Sequence, residues 1–335
     1  MTAKTRQTNF ELLRIIAMFM VMMLHANFIV IGEPAIDDFI NSPGNSFIRL
    51  FFECISIVCV NVFVMISGWF GIRASVRGLA TFLFQCIFLL TFLFLFLTLT
   101  GQVEFSIRRL VECTTIKCSL WFIPAYIGLY LLSPILNIYV ENVSRRKLGL
   151  TIVCLFIYLT LYGWIENKYN PNVYGTFIEF YLIGRYLRLY GRSFYKYGVV
   201  LYWGMVFMLM MNYLVFRYFG LDTPVFSYIN PLIVLASCGL VMWCGNSYIP
   251  QNKIINFVAK SSFAVYVLHD TNDAFFLLFK PAVKYLYDCF DGVGCIVIIF
   301  FALVVIFAIA TIVDQLRKLM WNRILKCCDK FGIII

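Results

Sequence analysis

Apolar stretches long enough to cross a lipid bilayer recur along the whole sequence. A membrane-spanning helix needs about 20 predominantly apolar residues. Segmenting on that requirement gives ten stretches, at residues 10 to 31, 47 to 71, 78 to 100, 120 to 140, 148 to 165, 174 to 190, 197 to 219, 228 to 244, 256 to 270 and 291 to 313. Continuous apolar runs are typical of helices and not of membrane β-barrels. We expect an all-α, polytopic membrane helix bundle with about ten transmembrane helices.

The composition agrees with a protein of the bilayer. Only 13% of the 335 residues are charged, whereas soluble domains carry about 25%. No polar block is long enough for a soluble domain, so residues 1 to 335 are predicted to form a single integral membrane domain, with no appended soluble domain. The first apolar stretch contains charges and lacks a small-residue cleavage site, so we expect it to be retained as a span.

Positive charges alternate with the predicted spans. Lysine and arginine concentrate near the N-terminus and in every second connection, while acids such as Glu33, Glu104 and Glu112 lie in the other connections. The positive-inside rule then predicts that both termini are cytoplasmic. The net charge of +10 follows from this topology. It favours some contact with anionic membrane lipids and requires no nucleic acid partner.

The twelve cysteines predict no special chemistry. Half of them fall inside apolar stretches, where a thiol behaves as a small hydrophobe: Cys54, Cys59, Cys86, Cys154, Cys238 and Cys244. No pair has metal-ligand spacing beside a histidine. We therefore expect neither a metal site nor a redox role.

The first stretch, NFELLRIIAMFMVMMLHANF, carries three ionisable residues: Glu11, Arg14 and His25. The eleven-residue offset from Arg14 to His25 places both side chains within about 20° of one helix face and roughly 16 Å apart. Glu11 lies on the same stripe and can pair with Arg14. The alternatives are an interfacial anchor for Arg14 and a helix-to-helix hydrogen bond for His25. Ionisable groups inside a membrane are functional candidates because burying them is costly.

His269 is the other of the two histidines and lies at the end of the ninth predicted span. In AKSSFAVYVLHD, Ser262, Tyr266 and His269 follow the i, i+4, i+7 spacing of one helix face. A polar seam between helices is the alternative. Asp270 comes next and can either orient the histidine or be a solvated loop acid. On the predicted topology, both histidines lie toward the outer side of the membrane.

Four stretches, in this order, resemble the integral membrane acyltransferase family 3, whose members O-acylate cell-surface carbohydrates. They are ELLRIIAMFMVMMLH, NVFVMISGWFGI, SLWFIPAYIGLYLLSPIL and SSFAVYVLH, and the resemblance covers essentially the whole chain. It implies that an acyl group, most often acetyl, moves from cytoplasmic acyl-CoA (acetyl-CoA) to a hydroxyl of a surface or lipid-linked carbohydrate, at the plasma membrane. One departure is that the family's Arg-x-x-Arg pair is replaced here by Arg73 and Arg77, which three residues separate.

The resemblance also implies roles for individual residues. His25 is predicted to be catalytic, either as the base for the sugar hydroxyl or as the carrier of an acyl group in a relay. Arg14 is predicted to serve in catalysis by binding the coenzyme or the thioester end of its pocket. Arg73 and Arg77 are further coenzyme-binding candidates. The supporting candidates are Glu11, His269, Asp270, Ser67 and Trp121.

Several of these residues have two interpretations. Ser67 and Gly68 permit close backbone approach, either by the pantetheine arm or by a neighbouring helix. Trp121 lies where an outer aromatic belt is expected, and its indole can also stack on a sugar. Glu179, a buried acid in the sixth span, and Arg185 receive no predicted role.

Two other classes of protein fit part of the pattern. A multi-pass glycan flippase or transporter would also have many spans and basic cytoplasmic loops, but it would more often show broken helices in repeated halves. A receptor or scaffold leaves Glu11, Arg14 and His25 unexplained. The acceptor sugar, the acyl group and the oligomeric state are not predicted.

Overall fold

The computed structural model describes residues 7–117, 119–166, 173–221, 223–290 and 292–330. The extreme chain ends, for which a cytoplasmic position was predicted, lie outside these residues. Within them the regular structure is entirely helical, without a β-strand. The α-helices are α1 (Thr8–Leu24), α2 (Ile36–Asn41), α3 (Pro43–Ser56), α4 (Cys59–Phe70), α5 (Val76–Leu99), α6 (Ile107–Thr114), α7 (Phe122–Asn142), α8 (Arg145–Glu166), α9 (Val173–Tyr190), α10 (Gly198–Tyr218), α11 (Pro231–Asn246), α12 (Lys253–Ala259), α13 (Ser262–Asp270), α14 (Asn272–Ala274), α15 (Lys280–Cys289) and α16 (Gly292–Lys330).

Three further segments are helical but not α-helical. A π-helix, His25–Ile31, continues α1, and a second, Phe275–Phe279, leads into α15. A 3₁₀-helix, Arg192–Tyr197, precedes α10. Because single π-helical turns are uncommon and often occur at functional sites, the one that begins at His25 is a notable feature of the first span.

The prediction of an all-α membrane protein is confirmed at the level of fold class. Seven helical stretches in the described part of the chain are long and apolar enough to cross a membrane: Thr8–Ile31, Pro43–Phe70, Val76–Leu99, Phe122–Asn142, Arg145–Gly163, Arg192–Tyr218 and Gly294–Lys330. The predicted sixth and eighth spans coincide with α9 and the shorter apolar α11. The count of ten and the side of each connection stay predictions.

The ninth predicted span, residues 256 to 270, is not one continuous helix. α12 ends at Ala259 and α13 begins at Ser262. Ser261 lies between these two helices in the sequence, and its side chain is buried. Its Oγ accepts hydrogen bonds from Gln315 Nε2 (3.1 Å) and Lys318 Nζ (2.8 Å) of α16. These bonds fix a turn that the apolar run alone does not reveal, because the bonding partners are more than 50 residues away in sequence.

The chain forms two compact units, Met1–Arg73 with Ala125–Ala259 and Ala74–Pro124 with Lys260–Ile335. In the first unit, α4 crosses α9 at a pair of glycines. A Cβ atom on Gly68 would lie 2.1 Å from the carbonyl oxygen of Tyr181, and one on Gly184 would lie 2.2 Å from that of Met65. Small residues of this kind let two membrane helices approach backbone to backbone.

In the second unit, polar contacts join α5 to α16. Trp321 Nε1 donates to Thr81 Oγ1 (3.1 Å), and Gln85 Nε2 donates to Asp314 Oδ1 (3.3 Å). Asp314 is buried and also pairs with Arg317 (2.8 Å) of its own helix. α16 therefore continues as a packed helix beyond residue 313, where the tenth span was predicted to end.

Candidate active site

The ionisable residues at the start of α1 form an ion pair. Glu11 is only 3% exposed, and Arg14 Nη1 donates to its Oε1 over 2.7 Å. The pair spans one helical turn, as the sequence spacing predicted. A buried carboxylate is thus compensated by the guanidinium of Arg14, whose side chain is 29% exposed.

An aromatic wall adjoins this pair, formed by Phe10, Trp69 and Phe70. The Phe10 ring lies 4.8 Å from that of Trp69 and 5.2 Å from that of Phe70, measured between centroids. The Arg14 guanidinium lies over Phe70 at 5.8 Å, and the Arg188 guanidinium over Trp69 at 5.4 Å. Phe10 and Trp69 are buried (1% and 2% exposed) and Phe70 is 40% exposed, so Phe70 is the ring of this wall that a ligand can reach. The two guanidinium groups beside the wall suit an anionic ligand.

His25 is half-buried and begins the π-helix. α1 is a regular α-helix as far as Leu24, so the offset predicted between Arg14 and His25 applies to the folded chain. The histidine is thereby placed about three turns from the charge pair, on the same face of one rigid helix.

A polar cluster fixes the π-helix two residues beyond His25. Asn27 Nδ2 donates to Glu53 Oε2 (2.8 Å) and to the Arg49 carbonyl oxygen (2.9 Å) of α3. Arg49 Nε donates in turn to Asn27 Oδ1 (3.2 Å), and its guanidinium also bonds the Gly32 carbonyl oxygen, where the π-helix ends. The backbone around His25 is therefore tied to α3 at both ends of the π-helix.

In the second unit, His269 is buried, and its Nδ1 lies 2.6 Å from the Val265 carbonyl oxygen. A carbonyl oxygen only accepts, so Nδ1 carries the proton and the lone pair of the neutral ring lies on Nε2. Ser262 and Tyr266 are buried on the same face, as the i, i+4, i+7 spacing predicted. Asp270, the last residue of α13, is half-buried.

The small residues of α4 contact neighbouring helices. Ser67 Oγ donates to the Phe63 carbonyl oxygen (3.2 Å) and lies 3.3 Å from the Tyr126 hydroxyl of α7. The backbone of Tyr181 occupies the space beside Gly68 where a side chain would lie. Of the two interpretations of Gly68, the structure therefore shows the contact with a neighbouring helix, and no space is left there for a pantetheine arm.

The remaining candidates are Arg73, Arg77 and Trp121. Arg73 and Arg77 are both exposed, each in its own unit, with Arg77 in the first turn of α5. Trp121 is partly exposed immediately before α7. Its contact with the ring of Phe122 leaves both interpretations, belt or sugar stacking, open.

Glu179 is completely buried in α9, and neither carboxylate oxygen has a hydrogen-bond partner among the described residues. Arg185 does not neutralise it. The Arg185 guanidinium instead lies against Gly71, where α4 ends with a backbone φ of +73° that favours glycine.

Sequence reasoning missed three contributors to this region: Trp69, Arg188 and Glu53. Glu53 is an acid inside an apolar stretch, the same signal that selected Glu11. Trp69 lies within the NVFVMISGWFGI stretch, but nothing local indicates that Arg188, about 120 residues away, packs on it.

These helices and their embedded charges define a multi-pass membrane protein with ionisable groups fixed inside its spans. The chain belongs to the acyltransferase 3 family, because the sequence model of that family, described as an acyltransferase domain, matches residues 7–314. This match confirms the resemblance seen in the four stretches, and it assigns acyltransferase activity in general. Comparisons with curated proteins and with solved structures found no match.

Proposed function

We propose that this protein is a membrane O-acyltransferase that moves an acyl group, in the first place acetyl, from cytoplasmic acyl-CoA to a hydroxyl of a surface or lipid-linked carbohydrate. Family membership supports the acyl transfer. One observation carries the assignment to this site. A single rigid helix holds a buried Glu11–Arg14 pair near one end and His25 at the start of a fixed π-helix near the other.

The donor binds at the Arg14 end in this proposal. Coenzyme A carries phosphate groups and an adenine ring, which match guanidinium groups and aromatic faces respectively. Arg14 and Arg188 supply guanidinium groups for the phosphates, and Phe70, the exposed ring of the aromatic wall, supplies a face for the adenine. Arg73 and Arg77, exposed on the predicted cytoplasmic side, add positive charge for the phosphates.

His25 performs the chemistry in this proposal. Its neutral imidazole accepts the proton of the acceptor hydroxyl as the oxygen attacks the thioester carbonyl. The new C–O ester bond forms, the C–S bond breaks, and the imidazolium returns the proton to the departing coenzyme thiolate. In the relay alternative, the imidazole nitrogen attacks the thioester, the C–S bond breaks and the coenzyme leaves as its thiol. The acceptor hydroxyl then attacks the acyl-imidazole, the C–N bond breaks, and the imidazole is released with the hydroxyl proton. His269, Asp270 and Trp121 are supporting candidates on the predicted outer side.

We further propose ten spans with both termini cytoplasmic, in a multi-pass protein of the plasma membrane. Contacts inside each unit support the predicted alternation of sides, because each joins segments predicted to lie on the same side. In the first unit, Asn9 bonds the Ser247 carbonyl oxygen (3.0 Å), joining two predicted cytoplasmic segments, while Glu33 pairs with Arg217 at the other end. In the second unit, Arg109 pairs with Asp273 (3.2 Å), joining two predicted outer connections.

The proposal is tested by measuring the acyl content of surface glycans by mass spectrometry in cells with the native chain, the His25→Ala variant or no protein. The expected result is an acyl mass increment that requires both the chain and His25, because His25 supplies the base. The mass also identifies the acyl group. Equal increments with native chain and His25→Ala would remove His25 from the mechanism.

The same cells distinguish the enzyme from a flippase or transporter. A flippase predicts that glycan accumulates on the wrong leaflet when the protein is absent, with its acyl content unchanged. The variant Cys154→Ala is a suitable control for expression and insertion, because Cys154 is exposed in α8 and takes no part in the proposed site.

A further inference from the structure

Two cavities in the second unit share one polar wall. The first, of about 240 Å³, lies between the end of α5, the helix α6, Ser119 and the segment that follows α13. The second, of about 520 Å³, is lined by the connection between α5 and α6 and by the start of the second π-helix. Arg109, Asn272 and Asp273 line both cavities, and together with Thr271 they are called here the Arg109 subsite.

The Arg109 subsite is built from groups that complement hydroxyls. Arg109 Nη1 bonds Asp273 Oδ2 over 3.2 Å, and the two side chains remain 46% and 42% exposed. A guanidinium has five N–H donors and a carboxylate has about four acceptor positions, so most of their capacity is left for a ligand. A sugar hydroxyl both donates and accepts, and it can bridge such a pair. Asn272, exposed at the same wall, adds an amide with both functions.

Thr271 provides a second, independent indication of a ligand. Its side chain lines the smaller cavity, the residue is only 7% exposed, and its hydroxyl has no hydrogen-bond partner among the described residues. Leaving a buried hydroxyl without a hydrogen-bond partner is unfavourable. A ligand hydroxyl in the cavity would satisfy the Thr271 hydroxyl.

The charge balance favours a neutral polyhydroxy ligand over the coenzyme. The smaller cavity is lined by two cations, Arg109 and Lys117, and two acids, Glu112 and Asp273. Glu112 pairs with Lys117 (3.9 Å) and also with Arg108 (3.3 Å), and Glu104 adds a third acid at the larger cavity, so the three cations around the cavities are balanced by three acids. Leu93, Leu97 and other apolar side chains form the rest of the lining and suit the C–H faces of a sugar ring.

We propose that the Arg109 subsite binds the carbohydrate acceptor, an inference that rests on the proposed function. Arg109 and Asp273 hold hydroxyls at the rim, and Thr271 bonds a hydroxyl that enters the smaller cavity. Because the subsite lies on the predicted outer side, it receives the glycan on the face of the membrane where the product is displayed.

The test is direct binding of a defined probe to the full chain in lipid nanodiscs. The probe is surface glycan freed of its esters by mild alkali and labelled with tritium. Arg109→Gln is expected to weaken binding at least about tenfold, since a charge-assisted contact is lost, and Thr271→Val about fivefold. Arg323→Gln is the matched control: it makes the same change at an exposed arginine of the second unit, in α16, and it lines neither cavity.

Equal glycan binding by all four proteins, or no binding by the native chain, would overturn the subsite. Transfer from radiolabelled acetyl-CoA to the same glycan is then measured separately. The expected effect of Arg109→Gln and Thr271→Val is a raised KM for glycan with an unchanged KM for acetyl-CoA. Arg109-dependent binding without any transfer by the native chain would contradict the proposed enzyme while supporting the carbohydrate subsite.

Discussion

At the residue scale, the first helix explains how a span accepts three ionisable side chains. Glu11 and Arg14 neutralise each other one turn apart, and the π-helix that begins at His25 is fixed to α3 by Asn27 and Arg49. The charge pair was predictable because its spacing is local. The cluster around Asn27 was not predictable, because it depends on which face of α3 meets the end of the first helix.

The role of Arg14 can be separated from its contribution to stability. Arg14→Gln should lower the free energy of unfolding by about 1–3 kcal/mol, because buried Glu11 loses its ion pair with Arg14. The double variant Glu11→Gln/Arg14→Gln should recover the stability that Arg14→Gln loses. Its affinity for acetyl-CoA should nevertheless stay below that of the native chain. Thermal unfolding and equilibrium acetyl-CoA binding of the purified protein measure the two effects. Native-like acetyl-CoA binding by the double variant would show that Arg14 is an interfacial anchor and does not bind the coenzyme.

At the element scale, the crossing of α4 and α9 fixes the aromatic wall. Gly68 and Gly184 allow the two backbones to touch, which places Trp69 of α4 beneath Arg188 of α9. The sequence indicated that Gly68 permits close approach but gave no sign of its partner. It also presented residues 256 to 270 as one span, although Ser261 bonds α16 and the helix breaks there.

A glycine comparison tests this crossing. Gly68→Ala should destabilise the protein by about 1–3 kcal/mol, the usual range for overpacking, because the new methyl group would collide with the Tyr181 backbone. Gly204→Ala in α10 is the control, since nothing lies within 4 Å of the added Cβ and alanine favours helix. Thermal unfolding of both variants is the measurement, and equal unfolding temperatures would contradict a tight crossing.

At the scale of the whole molecule, hydropathy and charge were sufficient for the fold class. Apolar length predicts helices, and they are present, whereas the pairing of distant connections such as Arg109 with Asp273 depends on tertiary packing. The four sequence stretches were sufficient for the family, which the match over residues 7–314 confirms. The Arg109 subsite was missed because its parts lie about 160 residues apart in the chain.

The proposed sidedness is testable with single cysteines in a variant whose native cysteines have been replaced. Glu104→Cys should react with a membrane-impermeant maleimide in intact cells, because residue 104 is exposed in a predicted outer connection. Arg73→Cys, exposed in a predicted cytoplasmic connection, should react only after permeabilisation. The reverse labelling pattern would invert the topology.

The central claim is that His25 catalyses acyl transfer to a carbohydrate. It is tested most directly with purified protein in proteoliposomes, by following radiolabel from acetyl-CoA into de-esterified surface glycan. The expected rate of the His25→Gln variant is at least about 100-fold below that of the native chain, since a general base contributes that much or more, while acetyl-CoA binding is retained. A native rate of transfer by His25→Gln would contradict the account.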